Sequence, residues 1–181
     1  MMRSVALTLT AAFLLAGCGL IPTPSVDIQD SRQELPDSSA LGGKVVYLDQ
    51  DALKDNRVPS VLQQVTVRGN ATYLSGAGGT LSKLELFVRP DLGNLPATCR
   101  EYAASVVAPH MFVCDADGEK AQSIGTLTLN RGQGVAFTLS GAALDAAARG
   151  GHGYFGLRFT EGRSLFGDTL TLTDMKASAR L

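Results

Sequence analysis

Cysteine is the residue type in this chain with the widest chemistry, and the three cysteines stand in different surroundings. Cys18 ends a leader in which Arg3 supplies a positive start and Val5 to Leu15 is apolar apart from two threonines. Small residues before a cleavage point complete the plan of a secretory signal. The apolar run is too short to span ~30 Å of hydrocarbon as a helix. We therefore predict that residues 1–17 are a signal peptide and that Cys18 begins the mature chain.

The four residues Leu15-Ala16-Gly17-Cys18 resemble the lipobox of bacterial lipoproteins. The resemblance implies that Cys18 carries fatty acyl chains, palmitate among them, and anchors the protein to a membrane of the cell envelope on its extracytoplasmic side. Gly19 rather than aspartate follows, which in enterobacterial lipoproteins permits export to the outer membrane. The outer membrane is the favoured location in a bacterium that has two membranes. The alternative is an ordinary secretory leader with a chance cysteine.

Cys99 and Cys114 remain as an even pair. The predicted signal peptide would send the protein to an oxidising compartment, so we predict a disulfide between them. A metal site is the alternative, because His110 lies close to Cys114 in the sequence. Structural zinc sites need about four ligands, and no second histidine or cysteine cluster completes one. Free thiols are the third possibility.

Two acidic stretches offer the oxygen ligands that calcium prefers. The first comprises Asp49, Asp51, Asp55 and Asn56, and the second comprises Asp115, Asp117 and Glu119. Neither has the spacing of an EF-hand loop, and the same residue types are ordinary in turns. The second stretch is the better calcium candidate, because it is compatible with a rigid hairpin.

Catalytic patterns are poorly represented, and we predict that the protein is not an enzyme. The segment around Ser164 lacks the second glycine of a nucleophile elbow. His152 stands in a glycine-rich connection, where a histidine is most often a solvated turn residue. No basic tract is present, so nucleic acid is not an expected partner.

The mature chain is long enough for one domain with a hydrophobic core. Residues 18–43 contain proline at several positions and few apolar residues, which predicts a flexible tether that carries the lipidated N-terminus. Residues 44–181 are then the folded domain. The whole chain has 20 glycines and few charged residues, a composition that suits a turn-rich β protein.

Alternating apolar residues predict about eight strands with one short crossover helix, and thus an all-β fold, a β-sandwich of jelly-roll type. We expect one hairpin from residues 65–73 and 84–88, and another from 126–129 and 135–139. Residues 140–149 are the predicted helix, capped by Ser140. A one-residue slip of the alternation at Thr173-Asp174 predicts a β-bulge in the last strand.

Residues 135–159 loosely resemble a jelly-roll segment of surface and carbohydrate-binding modules. Sugar platforms favour aromatic rings, yet the chain has no tryptophan. The candidate platforms, which core packing explains equally well, are Tyr47, Tyr73, Tyr102 and Tyr154. We therefore expect a lipid-anchored, non-catalytic interaction or structural component of the cell envelope, with an envelope protein or glycan as partner. The alternative is a small-ligand or glycan-binding module, with or without structural calcium.

Overall fold

The alternating segments form two antiparallel sheets that pack face to face, which confirms the predicted all-β sandwich. The computed structural model describes residues 23–54, 63–105 and 109–180. The strands of these residues are β1 Val26–Asp27, β2 Ser31–Glu34, β3 Lys44–Asp51, β4 Gln63–Leu74, β5 Lys83–Arg89, β6 Arg100–Tyr102, β7 Met111–Asp115, β8 Ser123–Thr128, β9 Gly134–Ser140, β10 Tyr154–Glu161 and β11 Thr169–Arg180. A 3₁₀ helix covers Ala116–Gln122, and the α-helix α1 covers Ala142–Gly150.

The strand order is that of a jelly roll with additions. In the smaller sheet, β1 and β2 both pair with one edge of β11. The other edge of β11 pairs with β4, and β4 pairs in turn with β9. The larger sheet has the order β6-β7-β3-β10-β5-β8. Without β1, β6 and β7, eight strands remain in the orders 2-11-4-9 and 3-10-5-8, in which the chain passes repeatedly from one sheet to the other. Within the described parts of the chain, no helix has the length and hydrophobicity to cross a bilayer.

Both predicted hairpins are wrong. The strand β4 lies in the smaller sheet and β5 in the larger one, and β8 and β9 are likewise divided between the sheets. The segments themselves were placed correctly, because alternation reveals which face of a strand is buried. Alternation does not reveal the partner strand, so consecutive strands that cross the sandwich have the same pattern as a hairpin.

The chain N-terminal to residue 44 is part of the domain, which corrects the predicted tether for residues 23–43. The amide of Thr23 donates to the carbonyl of Ala179 (2.9 Å), and β2 pairs with the first part of β11. Leu35 is buried in the main core. Short polar edge strands have few apolar residues of their own, so their composition resembles that of a linker. Residues 18–22, like the predicted signal peptide, lie outside the described residues.

The helix α1 covers one side of the core between the sheets, where Ala143, Leu144, Ala147 and Ala148 are buried. It begins two residues later than predicted, because Ser140 belongs to β9 and Gly141 occupies the N-cap position. Gly151 ends it in the left-handed conformation (φ 74°). The predicted bulge is confirmed: the register of β11 shifts between Thr173 and Lys176, and Asp174 has a φ of 53°.

Candidate functional site

The strands β6 and β7 extend the larger sheet beyond the eight jelly-roll strands, and both faces of this extension carry polar side chains. The sulfur atoms of Cys99 and Cys114 are bonded at 2.04 Å, which confirms the predicted disulfide and excludes the metal-site alternative for these thiols. The bond ties the residue before β6 to the adjacent strand β7. The extension and the irregular segment 90–99 are therefore fixed to the sheet by a covalent link.

A second hydrophobic cluster lies on the face of the larger sheet that points away from the sandwich core. Its fully buried members are Val45, Tyr47, Phe87, Cys114 and Ala116, and the partly buried side chains packed on them are Leu92, Leu95, Cys99 and Phe112. These residues come from β3, β5, β7, the start of the 3₁₀ helix and the segment before β6. The segment that the disulfide fixes thus covers a small core of its own.

A buried ionic network adjoins this second cluster. The carboxylate of Glu119, whose side chain is fully buried, accepts the Tyr47 hydroxyl (2.6 Å) and two donors of Arg89, Nε and Nη2 (both 2.8 Å). The bidentate hydrogen bond to Glu119 raises the pKa of Arg89, and burial raises the pKa of Tyr47, so the first stays cationic and the second neutral. A Cβ at Gly156 would lie 2.6 Å from Cε1 of Tyr47, so only glycine leaves room for this ring.

The carboxylates of the preferred calcium candidates, Asp115, Asp117 and Glu119, do not converge on one site. Asp115 forms an ion pair with Lys44, Asp117 pairs with Lys120 (2.7 Å), and Glu119 belongs to the buried network. In the described ranges, the one group of three metal-type side chains within 4.8 Å is Cys99, Cys114 and Glu119, and its two sulfurs form the disulfide. The geometry gives no support to a calcium site at residues 115–119.

In the first acidic stretch, the carboxylates of Asp49 and Asp51 pair with the two histidines of the chain. His152 is half-exposed and its Nδ1 lies 2.6 Å from Asp51, which also accepts the amides of Leu53 and Gly153. His110 bridges two strands, because its Nδ1 lies 2.7 Å from Asp49 of β3 and its Nε2 lies 2.8 Å from Glu101 of β6. Sequence reasoning missed both pairs. Asp55 and Asn56 lie outside the described residues.

We expect the His110 bridge to weaken as the pH rises. Hydrogen bonds to Asp49 and then to Glu101 raise the pKa of His110, since only the imidazolium donates from both nitrogens. The stabilisation is complete below the ordinary histidine pKa of about 6.5 and is lost as the pH rises through the higher folded-state pKa. The thermal midpoint, followed from pH 6 to 9, should fall in the native protein and should lose this component in His110→Gln. An identical pH profile in the variant would contradict the assignment.

The other face of the extension forms a groove of about 330 Å³. It is lined by Lys44, Ala97, Thr98, Arg100, Tyr102, Val113 and Asp115, and we call it the β6 groove. Arg100 and Tyr102 project to the same face of β6 because they are two residues apart, and Val113, directly opposite Arg100, lies at its base. The Tyr102 side chain is 46% exposed. Among the described residues, the guanidinium of Arg100 has no hydrogen-bonding or ionic partner.

A second cavity, of about 420 Å³, lies among residues 80–82 and 129–133. It is larger than the β6 groove but has no aromatic lining, and the guanidinium of Arg131 already donates to the carbonyl of Gly79 (2.6 Å). Ser164, whose segment lacks the second glycine of a nucleophile elbow, is buried and donates its hydroxyl to the carbonyl of Pro36 (2.7 Å). The β6 groove is therefore the better candidate for a ligand site.

The β6 groove combines an exposed phenol ring, the guanidinium of Arg100, a lysine–aspartate pair and a threonine hydroxyl. These groups can bind and orient a small polar molecule. Comparison of the chain with protein-family models, with curated proteins and with solved structures finds no match in any of the three.

Proposed function

We propose that the protein is a lipid-anchored, non-catalytic interaction module of the bacterial cell envelope. The lipobox-like residues Leu15 to Cys18 carry this proposal, and the position of Thr23 refines it. Thr23 already pairs with β11, and five Cα–Cα steps separate it from Cys18. At ~3.8 Å a step, those residues reach at most ~19 Å.

Such a short connection would hold the domain close to the bilayer. The end of the smaller sheet at which Thr23, Gln63 and Arg180 meet would then face the lipid headgroups. A domain in this position is suited to partners that are themselves in or on the membrane. This differs from the long tether expected for residues 18–43, which would have carried the domain away from the surface.

The variant Cys18→Ala tests the anchor. We expect it to move from the membrane fraction to the soluble fraction, because each acyl CH₂ buried in the bilayer contributes ~0.8 kcal/mol and the variant carries no acyl chain. Ser25→Ala is a matched control, since Ser25 is exposed and close to the same end of the chain. Retention of Cys18→Ala in the membranes, with the control behaving as native, would refute the anchor.

A second candidate function, the binding of a small ligand or glycan, is favoured by the β6 groove. Its exposed Tyr102 ring supplies the kind of platform that the composition alone made doubtful. Structural calcium forms no part of this proposal, because the acidic side chains of residues 115–119 have separate cationic partners. The two functions are compatible, since one concerns the N-terminus and the other an edge of the larger sheet.

A further inference from the structure

We infer that the β6 groove binds a pyranose sugar that carries a carboxylate, of the uronic acid type. The inference rests on the ligand-binding function proposed above and names its ligand class. Three observations support it: an exposed aromatic ring, a guanidinium on the same face of β6 that has no partner among the described residues, and a cavity of suitable size.

Tyr102 is the tyrosine best placed to stack on a sugar. Tyr47 and Tyr73 are fully buried, and their hydroxyls donate to Glu119 and Asp168. For Tyr154, burial and then the charges of Asp51, Asp49 and Asp91 raise the pKa of the hydroxyl, so acidic side chains lie near that ring. Tyr102 instead lines a cavity, with about half of its surface exposed. The flat apolar face of a pyranose can cover such a ring.

The charges of the groove select for an anion. Lys44 and Asp115 neutralise one another, which leaves the guanidinium of Arg100 as the net charge. Other cationic side chains on the larger sheet already form ion pairs: Arg89 pairs with Glu119, and Lys83 pairs with Glu161. A guanidinium binds a carboxylate through two parallel hydrogen bonds. The Thr98 hydroxyl and the Lys44–Asp115 pair then offer donors and acceptors for the sugar hydroxyls.

The volume of the groove limits the length of the ligand. About 330 Å³ is near the lower end for small-molecule sites, so the groove suits one or two sugar rings rather than a long glycan segment. Such a ring would belong to the end or a side branch of an envelope polysaccharide.

The test is a titration of the acylated full-length mature protein in mild detergent with glucuronate, glucose and acetate, at constant ionic strength. We expect saturable binding of glucuronate with magnetisation transfer from the Tyr102 ring, and at least tenfold weaker binding of glucose and of acetate. Arg100→Gln should weaken glucuronate binding at least tenfold and remove its advantage over glucose. Tyr102→Ala should weaken the binding of both glucuronate and glucose. Arg68→Gln, at an exposed arginine on the smaller sheet, is the matched control and should change neither.

The outcomes separate the two proposals. Equal binding of glucose and glucuronate, unaffected by Arg100→Gln, would overturn the acidic-sugar inference and leave the ligand-binding function in place. Acetate binding as tight as that of glucuronate would also overturn it, because the sugar ring would then contribute nothing. Failure of all three to bind would overturn the inference and count against the groove as a ligand site.

Discussion

Replacement of Glu119 by alanine is expected to lower the free energy of unfolding by about 3–5 kcal/mol, as when one partner of a buried ion pair is removed. Arg89, whose side chain is 12% exposed, would keep its charge without a counterion. The Tyr47 hydroxyl would lose its acceptor in a buried position. The loss should appear as a lower midpoint of urea denaturation with a similar slope.

Two comparisons separate this effect from a general weakness of the 3₁₀ helix. Asp117→Ala changes an exposed carboxylate of the same helix and should leave the midpoint unchanged. In the double variant Arg89→Met with Glu119→Leu, part of the loss should be recovered, because no unpaired charge remains. A loss below about 1 kcal/mol in Glu119→Ala would show that Arg89 finds water or another partner.

Removal of the disulfide is expected to have the next largest effect. Cys99→Ser together with Cys114→Ser opens a cross-link between residues 15 apart, which in the chain-entropy model costs about 3 kcal/mol. The second hydrophobic cluster includes both cysteines, so the loss should be concentrated in segment 90–105. Faster amide exchange in that segment than in β4 or β11 would identify the local opening.

Reduction of the native protein provides the control for the disulfide variant. The reduced protein keeps both cysteine side chains and should show the same lower stability, which excludes an effect of the serine hydroxyls. Uniform acceleration of amide exchange across both sheets would contradict the local role that we assign to the disulfide. Unchanged stability in both samples would mean that the second cluster holds the segment without the bond.

The fold could be predicted as far as local pattern allows. The inward and outward residues of β4 follow from their alternation, and the bulge at Asp174 follows from a slip of that alternation. The disulfide followed from the parity of the cysteines and from the oxidising compartment that the leader-like residues predict. The partner strands did not follow, because pairings such as Val26 with Ala177 join residues that no local signal relates.

The candidate site could be predicted only in part. Glu119 stood out as an acidic residue, but its partners Arg89 and Tyr47 are 30 and 72 positions away, so its spacing to Asp117 suggested calcium instead. Tyr102 was recognised as a possible platform. Its neighbour Arg100 was not, because β6 has three residues and lies in a segment without regular alternation.

The pairing of the first strands with β11 has a consequence for the order in which the protein is made and folded. Thr23 and Ala179 are 156 positions apart, so β1 and β2 have no partner strand until β11 has been made. Contacts of such high sequence separation fold slowly, in milliseconds to seconds. With the export proposed above, a chain that enters a channel from its N-terminus would therefore still be unfolded during transport. Closure of the sandwich would become the last event of its biogenesis.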